Sequence, residues 1–293
     1  MSIPKGLASM AGRVCVVTGP TRGIGRATAR DLAKLGATMV LVCRRREDGE
    51  TVAREISGLK AAPRATVVTA DLSSQRSIRE AADAIRSRFP RLHVLVNNAG
   101  LIPKVRETTV DGLELQFAVN HLAYFLLTNL LLDRLAAGAP SRVVNVSSGA
   151  HQGGTIDFTD LQSERRYDPV RVYGRTKLAN VLFTYELARR VRHEGITANC
   201  LHPGVIATKL LADYMNAPMV GGAIAGTFGA DAEAGSDTSV YLASSPEVEG
   251  VTGRYFVGRK EMRSAPVTYD EQLQLRLWEE SARLTSLAGA AAP

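Results

Sequence analysis

The stretch VVTGPTRGIGRATA, Val16–Ala29, joins a β-branched run to an amphipathic helical pattern. Gly19, Gly23 and Gly25 lie between the two, and that context makes a glycine-rich turn informative. Glycine lets the backbone turn sharply and approach a ligand closely. The helix that follows would present free N–H groups and roughly half a positive charge to a pyrophosphate. The stretch therefore predicts a phosphate-binding turn, with a tight turn used only for packing as the alternative.

On both sides of this turn, short apolar runs alternate with helical segments. Six strands are expected at RVCVVTG, TMVLVC, ATVVTAD, HVLVNNAG, SRVVNVSS and ITANCLHPG, and a seventh at GRYFVG. Near-continuous apolar strands separated by helices indicate a parallel sheet buried on both faces. Right-handed crossovers then give a doubly wound α/β sheet of Rossmann type, about seven strands with helices on both faces.

The domain organisation follows from the absence of a linker or a shift in composition. We predict a single domain over residues 1–293, closed by a helix in TYDEQLQLRLWEESARL, with 288–293 as a disordered tail. Hydrophobic residues make up 45% and charged residues 22% of the chain, which is ordinary for a globular protein. No run of about 18 apolar residues is present, so no membrane span is expected.

Composition also constrains location and ligands. The N-terminus has no charged start followed by an apolar block, so we expect no secretory signal. Cys15, Cys43 and Cys200 are far apart and flanked by apolar residues, which indicates core thiols and a cytoplasmic location. Five scattered histidines without ligand spacing predict no metal site. The net charge of +7 is spread along the chain, and its one tight cluster, 44–46, fits a single anionic ligand better than nucleic acid.

Several motifs occur in one order along the chain. The turn reads Thr-Gly-x3-Gly-x-Gly, and it is followed by NNAG, Asn120, the serine pair of VVNVSSGAH, Tyr173-x3-Lys177 and HPGVIAT. These motifs occur in the same order, from Gly19 to Thr208, as in the short-chain dehydrogenase/reductase family, which the chain therefore resembles. A Tyr and a Lys four residues apart are otherwise a common helical pair. The resemblance implies instead that they are catalytic.

The spacing of the serine pair and the tyrosine narrows the resemblance. Ser148 and Tyr173 are 25 residues apart, and the inserted stretch GAHQGGTIDFTDLQSERRYDPVRV is similar to the retinol dehydrogenase-like branch. YGRTKLANVLFTYELARR and RLWEESARL resemble that branch too. Its membrane-bound members carry an apolar N-terminal anchor, which we do not find here. We therefore expect neither retinoid specificity nor membrane residence from the resemblance.

The resemblance implies a catalytic set of Asn120, Ser148, Tyr173 and Lys177. A free phenol has a pKa near 10, and an ammonium group beside it stabilises the phenolate. Tyr173 can then give a proton to a carbonyl oxygen or take one from an alcohol. Ser148 would donate a hydrogen bond to the same oxygen, with Ser147 facing elsewhere, and Lys177 would also hold the nicotinamide ribose. Asn120, by resemblance, anchors a water that leads to Lys177.

The end of the second strand decides the cofactor. NAD sites usually place a carboxylate there to bind the ribose 2′-hydroxyl, but this strand ends VLVCRRRED. Arg44 occupies that place and Arg22 lies in the glycine turn, and guanidinium groups bind phosphate in a forked geometry. We therefore predict NADP(H). The alternative is a solvated helix start, with Glu47 or Asp48 reaching the ribose of NAD(H).

The implied cofactor site extends over both halves of the chain. Asp71 and Leu72 are expected to line the adenine, residues 97–100 to flank the cofactor, and Thr208 to contact the nicotinamide carboxamide. The full set is Gly19, Thr21, Arg22, Gly23, Ile24, Gly25, Arg44, Asp71, Leu72, Asn97, Ala99, Gly100, Tyr173, Lys177, Pro203, Gly204 and Thr208.

The expected substrate is a small, fairly apolar carbonyl or alcohol compound. Residues 205–230 are apolar and glycine-rich, so we predict a substrate lid, with simple packing or a subunit interface as the alternative. The function is then that of an NADP(H)-dependent carbonyl reductase or alcohol dehydrogenase; a dinucleotide-sensing protein without catalysis is the alternative. HLAYFLLTNLLLDRL and KLANVLFTYELARRV would either pair between subunits, in a homodimer or homotetramer, or pack on their own sheet.

Overall fold

The computed structural model describes residues 6–59, 62–204 and 223–287. Three sequence predictions fall wholly or partly outside these residues. They are Thr208, the tail 288–293, and the part of the predicted lid from 205 to 222. The remainder of that predicted lid, 223–230, forms the beginning of a long helix.

The described chain builds one eight-stranded sheet with the order β3-β2-β1-β4-β5-β6-β7-β8. Every neighbouring pair is parallel except β7 and β8. The strands are β1 (Val14–Thr18), β2 (Thr38–Cys43), β3 (Thr66–Thr69), β4 (Val94–Asn97), β5 (Ser141–Val146), β6 (Ile196–His202), β7 (Tyr255–Val257) and β8 (Lys260–Met262). The order reverses between β1 and β4, so ligands are expected where these two strands end.

Helices cover both faces of the sheet, which confirms the doubly wound α/β prediction. They are α1 (Gly23–Lys34), α2 (Arg46–Ser57), α3 (Gln75–Arg88), α4 (Ala123–Ala137), α5 (Pro169–Arg190), α6 (Ala223–Ser244) and α7 (Glu271–Leu284). A helical turn, Leu115–Phe117, and a π-helical segment, Ala118–Leu122, lead into α4. Short 3₁₀ segments occur at Gly149–Gly153, Pro246–Val248 and Pro266–Tyr269.

One strand differs from the sequence predictions, and the start of one helical segment has a clear cause. The helical turn before α4 begins at Leu115, because the buried carboxylate of Glu114 accepts hydrogen bonds from the N–H groups of Gln116 and Phe117. Strand β8 was not predicted. Its three residues are all exposed at the edge of the sheet, so it has no apolar alternation to reveal it.

The core consists of one apolar layer on each face of the sheet. The first layer is contributed mainly by α1, α2 and α6, with Leu32, Ile56 and Leu242 fully buried. The second is contributed by α3, α4 and α5, with residues such as Ile85 and Leu131. Each helix thereby buries its apolar stripe on the strands.

The closing helix α7 covers α4 and α5. The ring of Trp278 lies 4.8 Å from Phe125 and 5.8 Å from Phe183, between ring centroids, and all three side chains are buried. The helices α4 and α5 therefore pack within their own chain, which was one of the two alternatives predicted for them. Pairing between subunits would have to use other parts of their surface.

One described helix, Leu115–Ala137, is long and apolar enough to cross a membrane, with a mean hydropathy of 1.3. Its window is nevertheless 78% buried inside the fold. This burial explains its composition, since a helix packed on all sides is apolar all round.

The three cysteines are buried free thiols. Burial raises the pKa of Cys15 and of Cys200 to about 12, so both thiols stay protonated and unreactive at neutral pH. They act as small core residues, which is the role that the sequence predicts for them.

Candidate active site

The glycine turn between β1 and α1 fits a pyrophosphate. Gly19 has a φ of +64°, and a Cβ on Gly25 would lie 2.2 Å from the carbonyl oxygen of Gly19. Only glycine therefore allows the turn to close this tightly. The first turn of α1 contains no acidic residue, and Arg22 before it makes no side-chain cap. The backbone N–H groups of the first turn of α1 are therefore available to an anionic ligand.

The turn is fastened to the end of β4 by Asn98 and Thr18. The Asn98 amide donates to the carbonyl oxygen of Thr18 at 2.9 Å, and the Thr18 hydroxyl accepts from the N–H groups of Asn98 and Ala99 at 2.9 and 3.1 Å. A Cβ on Gly19 would lie only 3.0 Å from the Cα of Ala99. These contacts bring the ends of β1 and β4 together. Thr18 was missed, although it belongs to the quoted turn, whereas Asn98 lies within the stretch 97–100 that was expected to flank the cofactor.

Charged groups near the end of β2 fall into paired and unpaired sets. Arg45 forms two hydrogen bonds with the Asp48 carboxylate, at 2.7 and 2.9 Å, and Arg46 lies 3.6 Å from Glu50. Arg22 and Arg44 are exposed and form no ion pair with any residue that the structure describes. Two guanidinium groups thus remain available near the glycine turn.

The predicted adenine-side residues differ in how exposed they are. Asp71 and Leu72 follow β3 and are half-buried, and the Asp71 carboxylate accepts from the N–H and hydroxyl of Ser73. Asn97 is fully buried, and its amide donates to Thr128 and Asn145 at 2.9 and 2.8 Å. The Asn97 side chain thus faces the interior of the fold, away from the glycine turn.

Helix α5 carries Tyr173 and Lys177 on one face. It begins with Pro169, and Asp168 caps it by accepting hydrogen bonds from Val170 and Arg171. The Lys177 side chain is 3% exposed, and its Nζ donates to the Val146 carbonyl oxygen at 3.0 Å.

The lysine lies between two aromatic rings. Its Nζ is 5.5 Å from the ring centroid of Tyr173 and 5.8 Å from that of Tyr124. Burial lowers the pKa of Lys177 to about 7 and raises the pKa of Tyr173. A hydrogen bond with Ser148 acts on the Tyr173 pKa in the opposite direction. Burial thus disfavours the charged form of both groups.

The two serines after β5 have different surroundings. Ser147 is buried, and its hydroxyl donates to the Lys177 carbonyl oxygen at 2.8 Å. Ser148 is half-buried, and its hydroxyl lies near enough to the Tyr173 phenol to lower the pKa of that group. Its hydroxyl oxygen also accepts from the N–H of Ala150 at 3.2 Å. Of the pair, Ser148 is therefore the one next to the phenol.

Asn120 lies in the π-helical segment before α4. Its amide is held in both directions by Leu101, accepting from the N–H at 2.8 Å and donating to the carbonyl oxygen at 2.9 Å. A Cβ on Gly100 would lie 3.4 Å from the Asn120 Oδ1 and 3.8 Å from the Lys177 Nζ. Glycine at 100 thus leaves a space bordered by Asn120 and Lys177. π-helical segments of this kind are frequent at functional sites.

Tyr124 connects the glycine turn with Lys177, and the sequence analysis missed it. Its hydroxyl donates to the Ala99 carbonyl oxygen at 2.8 Å, and burial raises its pKa well above the usual value. Because Ala99 contacts Gly19 and Tyr124 contacts Lys177, the two halves of the site are adjacent. Tyr124 escaped notice because it reads as one more apolar residue of a core helix.

The inserted stretch between Ser148 and Tyr173 is tied to the loop after β4. The Tyr167 hydroxyl donates to the carbonyl oxygen of Pro103 at 2.9 Å, and Arg106 donates to that of Gln162 at 2.8 Å. These bonds fix the insertion relative to the loop after β4. At the far side, Pro203 and Gly204 follow β6 and are half-buried. Among the described residues, no group of three side chains suits a metal ion.

Comparison with known proteins places this geometry in a family. Residues 13–218 match the family model described as short chain dehydrogenase. Retinol dehydrogenase 13 of Mus musculus is 44% identical over 287 residues, covering 96% of this chain and 86% of that protein. Retinol dehydrogenase 14 of Homo sapiens is 41% identical, covering 95% of this chain and 88% of that protein.

Solved structures agree with these relatives. A crystal structure of an uncharacterised protein from Mycobacterium paratuberculosis has a TM-score of 0.79, 35% identity and 96% coverage of both chains. An NADP active-site complex of RhlG from Pseudomonas aeruginosa has a TM-score of 0.67 and 27% identity, covering 85% of this chain and 95% of that one.

Proposed function

The chain belongs to the short-chain dehydrogenase family, resembling its retinol dehydrogenase-like branch, and we propose that it interconverts a carbonyl and an alcohol with NADP(H). The observation that carries the proposal is the cluster of Ser148, Tyr173 and Lys177 at the carboxyl end of β5. The cluster lies beside a glycine turn that suits a dinucleotide.

In the proposed reaction, the glycine turn would hold the dinucleotide, which would supply or accept the hydride at the substrate carbon. Ser148 donates a hydrogen bond to the substrate oxygen and holds it near the phenol. Tyr173 gives its proton to that oxygen in reduction and takes one in oxidation. Lys177 and Asn120 border the same space, and we infer that a proton returns to Tyr173 through them. Lys177 would also bind the nicotinamide ribose.

The proposed preference for NADP(H) rests on the charges at the end of β2. In the alternative with NAD(H), Glu47 or Asp48 would bind the ribose. The Asp48 carboxylate, however, already accepts two hydrogen bonds from Arg45. Arg44 and Arg22 have no such partner among the described residues, so they suit a 2′-phosphate. Glu47 is exposed at the start of α2 and remains the residue through which NAD(H) would bind.

The remaining residues of the predicted cofactor site keep their proposed roles. Asp71 and Leu72 would line the adenine, and Ala99, Gly100, Pro203 and Gly204 would flank the nicotinamide half. Thr208, outside the described residues, would bind the carboxamide. Because the side chain of Asn97 points inward, we propose that it supports this site through the fold.

We propose a fairly apolar substrate. The support is the apolar composition of 205–230 and the similarity to retinol dehydrogenases 13 and 14, which are named for an apolar alcohol. A cytoplasmic location is the proposal that the three free thiols favour. A homodimer or homotetramer stays a proposal as well, one that gel filtration with light scattering would test.

The direct experiment is a panel of apolar aldehydes and ketones, retinal included, followed by NADPH absorbance. We expect turnover with some members of the panel. We also expect a lower Kd for NADPH than for NADH when the two Kd values are measured by protein fluorescence. A lower Kd for NADH would overturn the cofactor assignment. Tight NADPH binding without turnover on any carbonyl or alcohol would favour the dinucleotide-sensing alternative.

A further inference from the structure

His151 connects the catalytic serine to a distant segment of the chain. Its Nδ1 lies 2.7 Å from the carbonyl oxygen of Ser148, and its Nε2 lies 3.1 Å from the backbone nitrogen of Ala265. The ring is fully buried, and its centroid is 4.8 Å from that of Tyr255. The residue thus joins the turn after β5 to the segment after β8.

The two contacts fix the tautomer of His151. A carbonyl oxygen only accepts and a backbone N–H only donates, so Nδ1 carries the hydrogen and Nε2 is the acceptor. A protonated ring would point an N–H at the N–H of Ala265. Burial accordingly lowers the pKa of His151, while the bond to Ser148 opposes that change. The neutral ring can satisfy both partners at once.

The turn that His151 closes is pressed against the catalytic helix. A Cβ on Gly154 would lie 2.5 Å from the Gly174 carbonyl oxygen, and one on Gly174 would lie 3.0 Å from the Ala150 carbonyl oxygen. Gly174 directly follows Tyr173. The segment carrying Ser148 and the helix carrying the phenol are therefore in backbone contact, and small shifts of the turn move Ser148 relative to Tyr173.

We propose that His151 is a positioning residue, which holds the Ser148 carbonyl and the Ala265 amide at once and thereby sets the place of the Ser148 hydroxyl beside the Tyr173 phenol. This inference rests on the acid–base role proposed above for Tyr173. Ser148 lies beside the phenol on a turn, and its carbonyl oxygen accepts from the His151 ring at 2.7 Å and from the His151 N–H at 3.2 Å. Misplacement of a reacting group by about 1 Å costs on the order of 100-fold in rate.

Three substitutions separate this role from packing. In His151→Asn the side-chain amide stands where Nδ1 stood and still donates to Ser148. In His151→Gln the amide reaches the Nε2 place and accepts from Ala265, but the bond to Ser148 is lost. His151→Ala loses both bonds. We expect kcat to fall by roughly 10- to 100-fold in the Gln and Ala variants and by less than about threefold in the Asn variant.

A second readout is the pH profile of alcohol oxidation. The Ser148 bond lowers the pKa of Tyr173, so the pKa of the profile should rise in the Gln and Ala variants and stay in place in the Asn variant. The other titratable groups near these two residues are Lys177 and Tyr124 beside the phenol, and His202 and Tyr255 beside the ring. KM and the Kd for NADPH should change little.

A double variant completes the test. Ser148→Ala already removes the hydroxyl, so adding His151→Gln to it should lower kcat no further. An independent further loss in the double variant, or equal losses in the Asn and Gln variants, overturns the proposal. If His151→Ala does not fold, the Asn and Gln pair still decides the outcome. Failure of the proposed function looks different: wild-type protein would bind NADPH without turnover, or Tyr173→Phe would keep full activity.

Discussion

The two halves of the site treat their polar groups in opposite ways. Around the glycine turn, the first turn of α1 has no side-chain cap, and Arg22 and Arg44 have no ion-pair partner among the described residues. At the end of β5, backbone carbonyl groups inside the protein satisfy the polar side chains. The Lys177 ammonium donates to the Val146 carbonyl oxygen, and the Ser147 hydroxyl donates to the Lys177 carbonyl oxygen.

This contrast follows from what each half must do. A dinucleotide carries its own charge and hydrogen-bond acceptors, so the half that binds it needs open donors. Proton transfer needs groups held in place and shielded from water, so that half is filled before the substrate arrives. Substitutions in the open half should therefore change affinity, and substitutions in the filled half should change rate or stability.

The largest expected effect is that of Tyr173→Phe. The loss of the acid–base group should lower kcat by on the order of 10²–10⁴, while the Kd for NADPH barely changes. Tyr241→Phe is the matched control, since it removes a phenol whose hydroxyl contacts Glu247 on the other face of the sheet. Turnover of Tyr173→Phe equal to wild type would falsify the assignment of the catalytic group.

Arg44→Ala tests the open half. We expect the Kd for NADPH to rise by roughly 10- to 100-fold, the size of a hydrogen bond between charged groups, with the Kd for NADH nearly unchanged. Arg45→Ala serves as the control because Arg45 is already bound to Asp48. If both cofactors lose affinity equally, the 2′-phosphate is not what Arg44 binds.

The smallest expected effect is on the stability of Lys177→Met. It is a gain in stability, whereas the two preceding substitutions are expected to lower rate or affinity. Burial lowers the Lys177 pKa from 10.5 to about 7, so the folded protein bears the cost of a buried charge below pH 7. We expect the variant to be inactive but more stable than wild type, with Tm higher by roughly 2–4 °C for each kcal/mol recovered.

The pH dependence of that difference gives the check. The unfolded lysine stays charged up to about its usual pKa of 10.5, so wild type gains stability as pH rises from about 7 toward 10.5. The advantage of the variant should be largest at pH 6 and shrink above pH 7, as measured by thermal melts. A variant less stable than wild type at pH 6 contradicts this account of Lys177.

The sequence predicted those parts of the fold whose signals are local. The glycine turn, the apolar strands and the Tyr173 helix each have a pattern within a few residues, and the structure contains all of them. Strand β8 has three exposed residues and pairs with β7 alone among the described strands, so the sequence of β8 contains no alternating pattern that would predict it.

The missed site residues depend on contacts between distant parts of the chain. His151 was given no role in the sequence predictions, because its second partner, Ala265, lies 114 residues away. Asn97 was assigned to the cofactor from its motif. Only the fold reveals that its side-chain amide donates hydrogen bonds to Thr128 and Asn145. Side-chain direction at a strand end is set by tertiary packing, which no local pattern encodes.

The closing helix α7 also affects the order in which the protein folds during synthesis. Trp278 packs on Phe125 and Phe183, Ser281 lies 2.9 Å from the ring of His121, and the Leu284 carbonyl accepts from Gln75. A nascent chain halted before α7 therefore leaves the aromatic surface of α4 and α5 uncovered. We expect this exposed surface to bind chaperones on the ribosome until α7 has emerged.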